Sequence, residues 1–185
     1  ALAEEERVIV SEVPGTTRDA VDVRFQKDGR EFVVIDTAGI QRRKGIKNSI
    51  EFYSQVRTLG AIQRADVVIF LLDASEEVTR ADKKLGETIS HAHKVCLLVA
   101  NKWDLTNGEV ATEAYADYLT DRMPGMIYAP VVFTTARDSR NIQATIDMAQ
   151  HLYKRASKRV GTGELNRVMA AITTHRSPPA KKGKA

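Results

Sequence analysis

Three continuous apolar runs, "ADVVIFLLDAS" (65–75), "KVCLLVANK" (94–102) and "APVVFTTA" (129–136), are separated by stretches of helical periodicity. This alternation limits the fold more than any other feature of the chain. A strand that is apolar at successive positions is buried on both faces, which requires a parallel sheet with helices above and below it. Right-handed crossovers then join the strands. The spacing predicts helices near Asp82–His91, Glu109–Arg122 and over "IQATIDMAQHLYKRAS" (142–157), and a longer one over Lys47–Arg64, where Ile50, Phe52, Tyr53, Val56, Leu59 and Ile62 recur at helical intervals. Before them, "DVRFQKDGREFVVID" reads as a hairpin from Val21 to Asp36, because its Asp-Gly pair suits a tight turn. The expected fold is therefore α/β, a three-layer sandwich with a mostly parallel sheet.

In such sheets the ligand site forms from loops at the carboxyl ends of the strands. That rule selects "DTAG" (36–39), "DAS" (73–75), "NKWD" (101–104) and "TTA" (134–136). Each has two readings. Asp36 can hold a magnesium ion with Gly39 letting a backbone N–H approach a phosphate, or it caps the next helix and Gly39 is a turn. In "NKWD", Asp104 can accept hydrogen bonds from the ring and exocyclic nitrogens of guanine, Asn101 can tie neighbouring loops, and the stem of Lys102 can lie across the purine. Adenine would leave that carboxylate unpaired, a mode of readout that discriminates by roughly 10⁴-fold or more. The alternative is a solvated turn with Asp104 starting a helix. The Ala136 N–H can meet the guanine carbonyl, or "TTA" is only a strand ending in small residues. In "PGTTRDA" (14–20), a threonine hydroxyl can ligate magnesium in one nucleotide state and release it in the other, or Thr16 or Thr17 caps a turn. "PGTTRDA", "DTAG", "NKWD" and "TTA" together, in this order and strand context, favour the guanine-nucleotide reading.

Composition restricts the remaining classes. Cys96 is the single cysteine and lies inside an apolar run, so a disulfide framework is excluded and a buried thiol in a reducing cytoplasm is expected. No apolar stretch approaches the roughly 20 residues of a membrane helix, and no signal peptide is legible at the start. "HAH" (91–93) lacks a third metal ligand in the sequence. From Lys154 onward nine basic residues face one acid, whereas the preceding 153 residues carry 19 basic and 23 acidic. A basic end on an acidic body is either a solvated tail or a segment that meets a polyanion such as RNA. A non-catalytic RNA-binding or scaffold module is thus the alternative function.

The stretches "ERVIVSEVPGTTRDAVD", "VVIDTAGIQRRKGI", "IEFYSQVRTLGAIQRADVVIFLLDAS", "NKWDL" and "TGELNRV" resemble the Ras-type G domains, and within them the double-Era-like family called Der or EngA. The resemblance covers nearly the whole chain and is closest to the family's second G domain. It implies a Ras-like P-loop NTPase fold, with a G domain over 1–160 and, over 161–185, a linker and first helix leading into a KH-like domain; Gly161–Glu164 would be the hinge. It implies a cytoplasmic, monomeric GTPase that hydrolyses GTP to GDP and acts as a switch in large ribosomal subunit assembly, with ribosomal RNA or the subunit as partner. Thr17 and Asp36 would be the magnesium-side residues, Gly39 the γ-phosphate contact, Asn101, Lys102 and Asp104 the guanine readers, and Ala136 their assistant. "QRRKGIKNS" (41–49) would be a mobile switch II segment, the alternative being a solvated loop. Ile40 stands where Ras-like enzymes carry a water-positioning glutamine, and relatives with an apolar residue there use a potassium ion held partly by the loop corresponding to Glu12–Thr16.

One departure stands out. No G-x-x-x-x-G-K-[ST] phosphate loop occurs. In the family it ends just before "ALAEEERVIV", which reads as the last turn of the following helix. Either that loop and the first core strand belong upstream of residue 1, or the chain is a remnant. In both cases this chain alone is expected to hydrolyse GTP poorly or not at all, and its sheet to be broken between the hairpin and "VVIFLLDA".

Overall fold

A computed structural model describes residues 8–9, 22–27, 29–35, 58–106, 108 and 110–175. The chain divides into two compact units, Ala1–Tyr153 and Lys154–Ala185.

In the first unit, β2 (Asp22–Lys27) and β3 (Arg30–Ile35) form the expected hairpin, with Lys27 opposite Arg30. Gly29 takes φ +70°, the left-handed conformation for which the turn selects glycine. Phe25 and Phe32 face each other across the ladder with ring centroids 5.0 Å apart, the cross-strand pair that sets the register. A short β1 (Val8–Ile9) adds antiparallel to β2. This corrects the helical reading of "ALAEEERVIV" at these two positions: both are β-branched, and the open edge of β2 supplies their backbone with partners.

The second sheet is parallel and has the order β4 (Val67–Asp73), β5 (Val95–Asn101), β6 (Val131–Phe133). The two sheets are not joined by a ladder among the described residues, the break expected between the hairpin and "VVIFLLDA". On β4, Phe70 and Leu72 are buried while Leu71 is 60% exposed. Central β5 is buried on both faces: Cys96, Leu98 and Ala100 join Ile89, Tyr115 and Leu119 in one cluster, and Leu97 and Val99, on the opposite face, are buried as well. Cys96 is the buried small hydrophobe expected, and burial pushes its thiol up to about 12.

Among the described residues the helices of this unit are α1, helical over residues 58–64, α2 (Arg80–His91), α3 (Thr112–Arg122) and α4 (Ile142–Ala156), whose last three residues fall beyond the unit boundary at Tyr153. The rest of the long helix expected over Lys47–Arg64 lies outside the described residues. α2 starts two residues before the expected Asp82 because Thr79 and Asp82 form a capping box, each side chain bonding the other's backbone N–H. Asp82 is thus the third residue of the helix. α3 starts at Thr112 rather than Glu109, since Gly108 at φ +71° and extended Ala111 hold the chain out of helix until then. Gly86 lets α2 approach the 124–126 turn closely, where a Cβ would stand 3.2 Å from the Met126 side chain.

In the second unit, α5 (Thr162–His175) begins at Thr162, so Thr162–Glu164 belong to the helix rather than to the expected hinge. Thr162 and Gly163 are accommodated because the first turn leaves its N–H groups unpaired whatever the residue. Leu165, Val168, Met169 and Ile172 recur at positions i, i+3, i+4 and i+7, and each is about half exposed. No helix among the described residues is long and apolar enough to cross a membrane.

Candidate functional site

The candidate site lies at the carboxyl ends of β4, β5 and β6. β5 ends at Asn101, in register with Asp73 at the end of β4. Parallel pairing therefore sets "DAS" and "NKWD" side by side, and β6 brings "TTA" to the other flank of β5. Asn101 joins the last two: its Oδ1 accepts from Thr134 Oγ1 at 3.1 Å and from the Ala136 N–H at 3.0 Å. A guanine carbonyl would share that Ala136 amide with Asn101. The Trp103 N–H donates to the Thr134 carbonyl at 3.0 Å, a second tie between the same loops.

Lys102 takes φ +62°, a left-handed conformation uncommon outside glycine and asparagine. The chain turns there into a short 3₁₀ segment, Trp103–Thr106, rather than passing directly into a helix. The indole of Trp103 packs edge-on against Phe133 (centroids 4.4 Å apart) and Tyr115 (5.3 Å), which anchors the loop in the core. Beside it opens a cavity of ≈ 360 Å³ lined by Trp103, Asp104, Phe133, Thr134, Thr135 and Asn141, among others. Its walls are an aromatic edge and polar groups, and the Asp104 side chain is 21% exposed within it. A mostly enclosed carboxylate can accept from paired N–H donors of a ligand seated against the aromatic edge.

Charge at the rim is arranged around two cations. The Arg137 guanidinium lies 3.5 Å from Asp104 and donates through Nε to Asp138 at 3.1 Å. These carboxylates, Asp138 foremost, push Arg137 above its ordinary range. On the other side, Lys102 Nζ donates to Asp73 Oδ2 at 2.6 Å. Desolvation raises the Asp73 carboxyl, but the hydrogen bonds from Lys102 and Ser75 outweigh it and the net direction is down.

Of the residues singled out from sequence, Asn101, Lys102, Asp104 and Ala136 thus come together at one cluster of strand ends. Thr17, Asp36, Gly39 and Ile40, the Glu12–Thr16 loop, "QRRKGIKNS" and the basic tail from Arg176 lie outside the described residues. Sequence reading gave no role to Arg137 or Asn141, which follow the "TTA" stretch without a motif of their own. It placed Asp73 at a strand end but did not foresee its bond to Lys102. The signal available for Asp73 was its position as the one acid closing a buried strand.

Known proteins are similar along the same stretch. The model of the family described as 50S ribosome-binding GTPase matches residues 1–102. GTPase Der of Rhodopirellula baltica is 47% identical over 180 residues, which are 97% of this chain and 39% of that protein. GTPase Der of a Sulfurihydrogenibium species is 40% identical over 184 residues, 100% of this chain and 41% of that protein. The chain thus spans about two-fifths of the length of these relatives. Among solved structures, "a probable GTP-binding protein engB" superimposes with a TM-score of 0.56 at 11% identity, over 72% of this chain and 84% of that one, a likeness of fold. The family match takes in more than half of the chain and runs through Asn101 and Lys102, and on that ground the chain belongs to the 50S ribosome-binding GTPase family, alongside GTPase Der.

Proposed function

We propose that the protein this chain represents binds guanine nucleotides at the carboxyl ends of β4, β5 and β6 and hydrolyses GTP to GDP and phosphate, and that this chain by itself, which has no G-x-x-x-x-G-K-[ST] loop, is weak or inactive. The observation that carries the reading is the double hydrogen bond at Asn101 Oδ1, which holds "NKWD" and "TTA" around one cavity with Asp104 in its wall. Asp104 accepts the guanine N–H donors, Lys102 lies across the base, and Ala136 assists at the carbonyl.

Thr17 and Asp36 are the proposed magnesium-side residues, and Gly39 the γ-phosphate contact. A hydroxyl and a carboxylate are the hard oxygen donors that magnesium prefers, and the ion would supply neutralising charge beside the phosphates. Ile40 has no group with which to orient water, so a potassium ion near Glu12–Thr16 is proposed to contribute the missing positive charge. The domain assignment follows the same reading: a G domain over 1–160, and a linker with the first helix of a KH-like domain over 161–185. The wider role proposed is a cytoplasmic, monomeric, nucleotide-controlled switch in large ribosomal subunit assembly, the basic end meeting ribosomal RNA. The description of the family model, 50S ribosome-binding GTPase, supports the ribosomal part of this role, and the relatives' name supports the GTPase part.

Calorimetric titration of GDP and of ADP, each with magnesium, tests the base reading. GDP is expected to bind at least 10-fold more tightly than ADP, because only guanine pairs with a carboxylate at that edge. Equal affinities would refute it.

A further inference from the structure

The Lys102–Asp73 pair does more than close a surface ion pair. Asp73 lies opposite Asn101 in the parallel ladder, so it stands beside the residue that precedes Lys102. The left-handed backbone at Lys102 starts its side chain along a path that ends on the neighbouring strand, at Asp73 Oδ2, 2.6 Å away. The other oxygen, Oδ1, accepts from the Ser75 N–H at 3.0 Å and from its Oγ at 2.6 Å. The carboxylate is therefore held on both sides, and its side chain is only 27% exposed against 53% for Lys102. A fixed acceptor is holding a long, mobile donor.

We propose that Asp73 is a positioning residue for base recognition, tethering the Lys102 ammonium so that its stem is drawn out for the purine face and its charge is kept off Asp104. The assignment rests on the guanine reading above. Two physical effects make it useful. A lysine side chain has many rotamers to lose, and a stem ordered before the ligand arrives does not lose them on binding. Asp104, Asp73 and Glu76 all act electrostatically on the same ammonium. Released from Asp73, that ammonium can pair with Asp104 and occupy the acceptor that guanine needs.

The test is a double-mutant cycle on the full chain, with GDP and ADP as calorimetric probes and thermal unfolding measured for each variant. Asp73→Asn is expected to weaken GDP binding about 5-fold, the scale of a partly exposed ion pair together with an unordered stem, and to weaken ADP binding less, since the stem serves either purine whereas Asp104 serves guanine alone. In a Lys102→Met background the same substitution is expected to cost nothing further, since Asp73 acts only through that ammonium. Asp73→Glu, which keeps the charge, recovers part of the loss. Should Asp73→Asn fail to fold, Ser75→Ala loosens the carboxylate without removing it and is expected to weaken GDP binding about 2-fold.

An equal cost of Asp73→Asn with and without Lys102 would overturn the assignment and make Asp73 a purely structural residue. GDP affinity unchanged in Asp73→Asn, or in Ser75→Ala where that variant stands in, would overturn it as well, while a surviving GDP-over-ADP preference would leave the guanine reading intact. Loss of that preference in the unsubstituted chain would overturn both.

Discussion

Asp104→Asn is expected to weaken GDP binding about 100-fold and to abolish the preference for GDP over ADP. Two hydrogen bonds from guanine to a carboxylate are each charge-assisted, and such bonds contribute about 1.5–3 kcal/mol apiece. At 1.4 kcal/mol per decade of affinity, even the lower figure for both gives about two decades. The amide that replaces the carboxylate presents an N–H where an acceptor stood, so it opposes the exocyclic amine of guanine rather than receiving it. Xanthine carries a carbonyl at that ring position, and the variant should favour XDP over GDP. Calorimetry with GDP, ADP and XDP checks all three outcomes. Undiminished GDP binding would mean that Asp104 is a loop residue and that the cavity beside Trp103 is not the base pocket.

Leu98→Ala should destabilise the chain by about 3 kcal/mol, within the range for a buried leucine whose cavity cannot collapse. Leu98 is 2% exposed on the central strand and packs in the cluster that includes Ile89 of α2 and Leu119 of α3. β4 and β6 pair with β5 from either side, so its surroundings have little freedom to close over the gap. Urea unfolding followed by circular dichroism measures the loss as a shift of midpoint at constant slope. The same substitution should raise the GDP dissociation constant mainly as far as it populates the unfolded state, because Leu98 lies three residues before Asn101 and does not itself line the cavity. A loss under 1 kcal/mol would contradict the packing described for β5.

How far the sequence announced this arrangement depends on the range of the interaction. The run around Val95–Asn101 was legible because burial on both faces leaves a continuous apolar record; Val67–Asp73 is equally apolar in sequence, although Ile69 and Leu71 on one of its faces are exposed. The strand-end rule then located Asn101 and Ala136 without coordinates. The tie between them joins residues 35 positions apart, and it follows once the two strands are neighbours. The bond from Lys102 to Asp73 was not legible: it depends on a left-handed backbone at a lysine, and no pattern in composition or periodicity encodes that. Helix starts failed for a local reason. Thr79-x-x-Asp82 is a capping signal written in the sequence, yet the apolar period alone put the start at Asp82. Val8–Ile9 misled because the expectation followed the family's order of elements, whereas two β-branched residues beside an open strand edge pair with it.

The central claim is that "NKWD" and "TTA" form one guanine-reading site, and a shift map of the ¹⁵N-labelled chain tests it most directly. On titration with GDP, the backbone amides of Asn101 to Asp104 and of Thr134 to Arg137 are expected to move together with a single affinity, while ADP at the same concentration leaves them in place. Equal shifts with GDP and ADP, or GDP shifts confined to other residues, would contradict it.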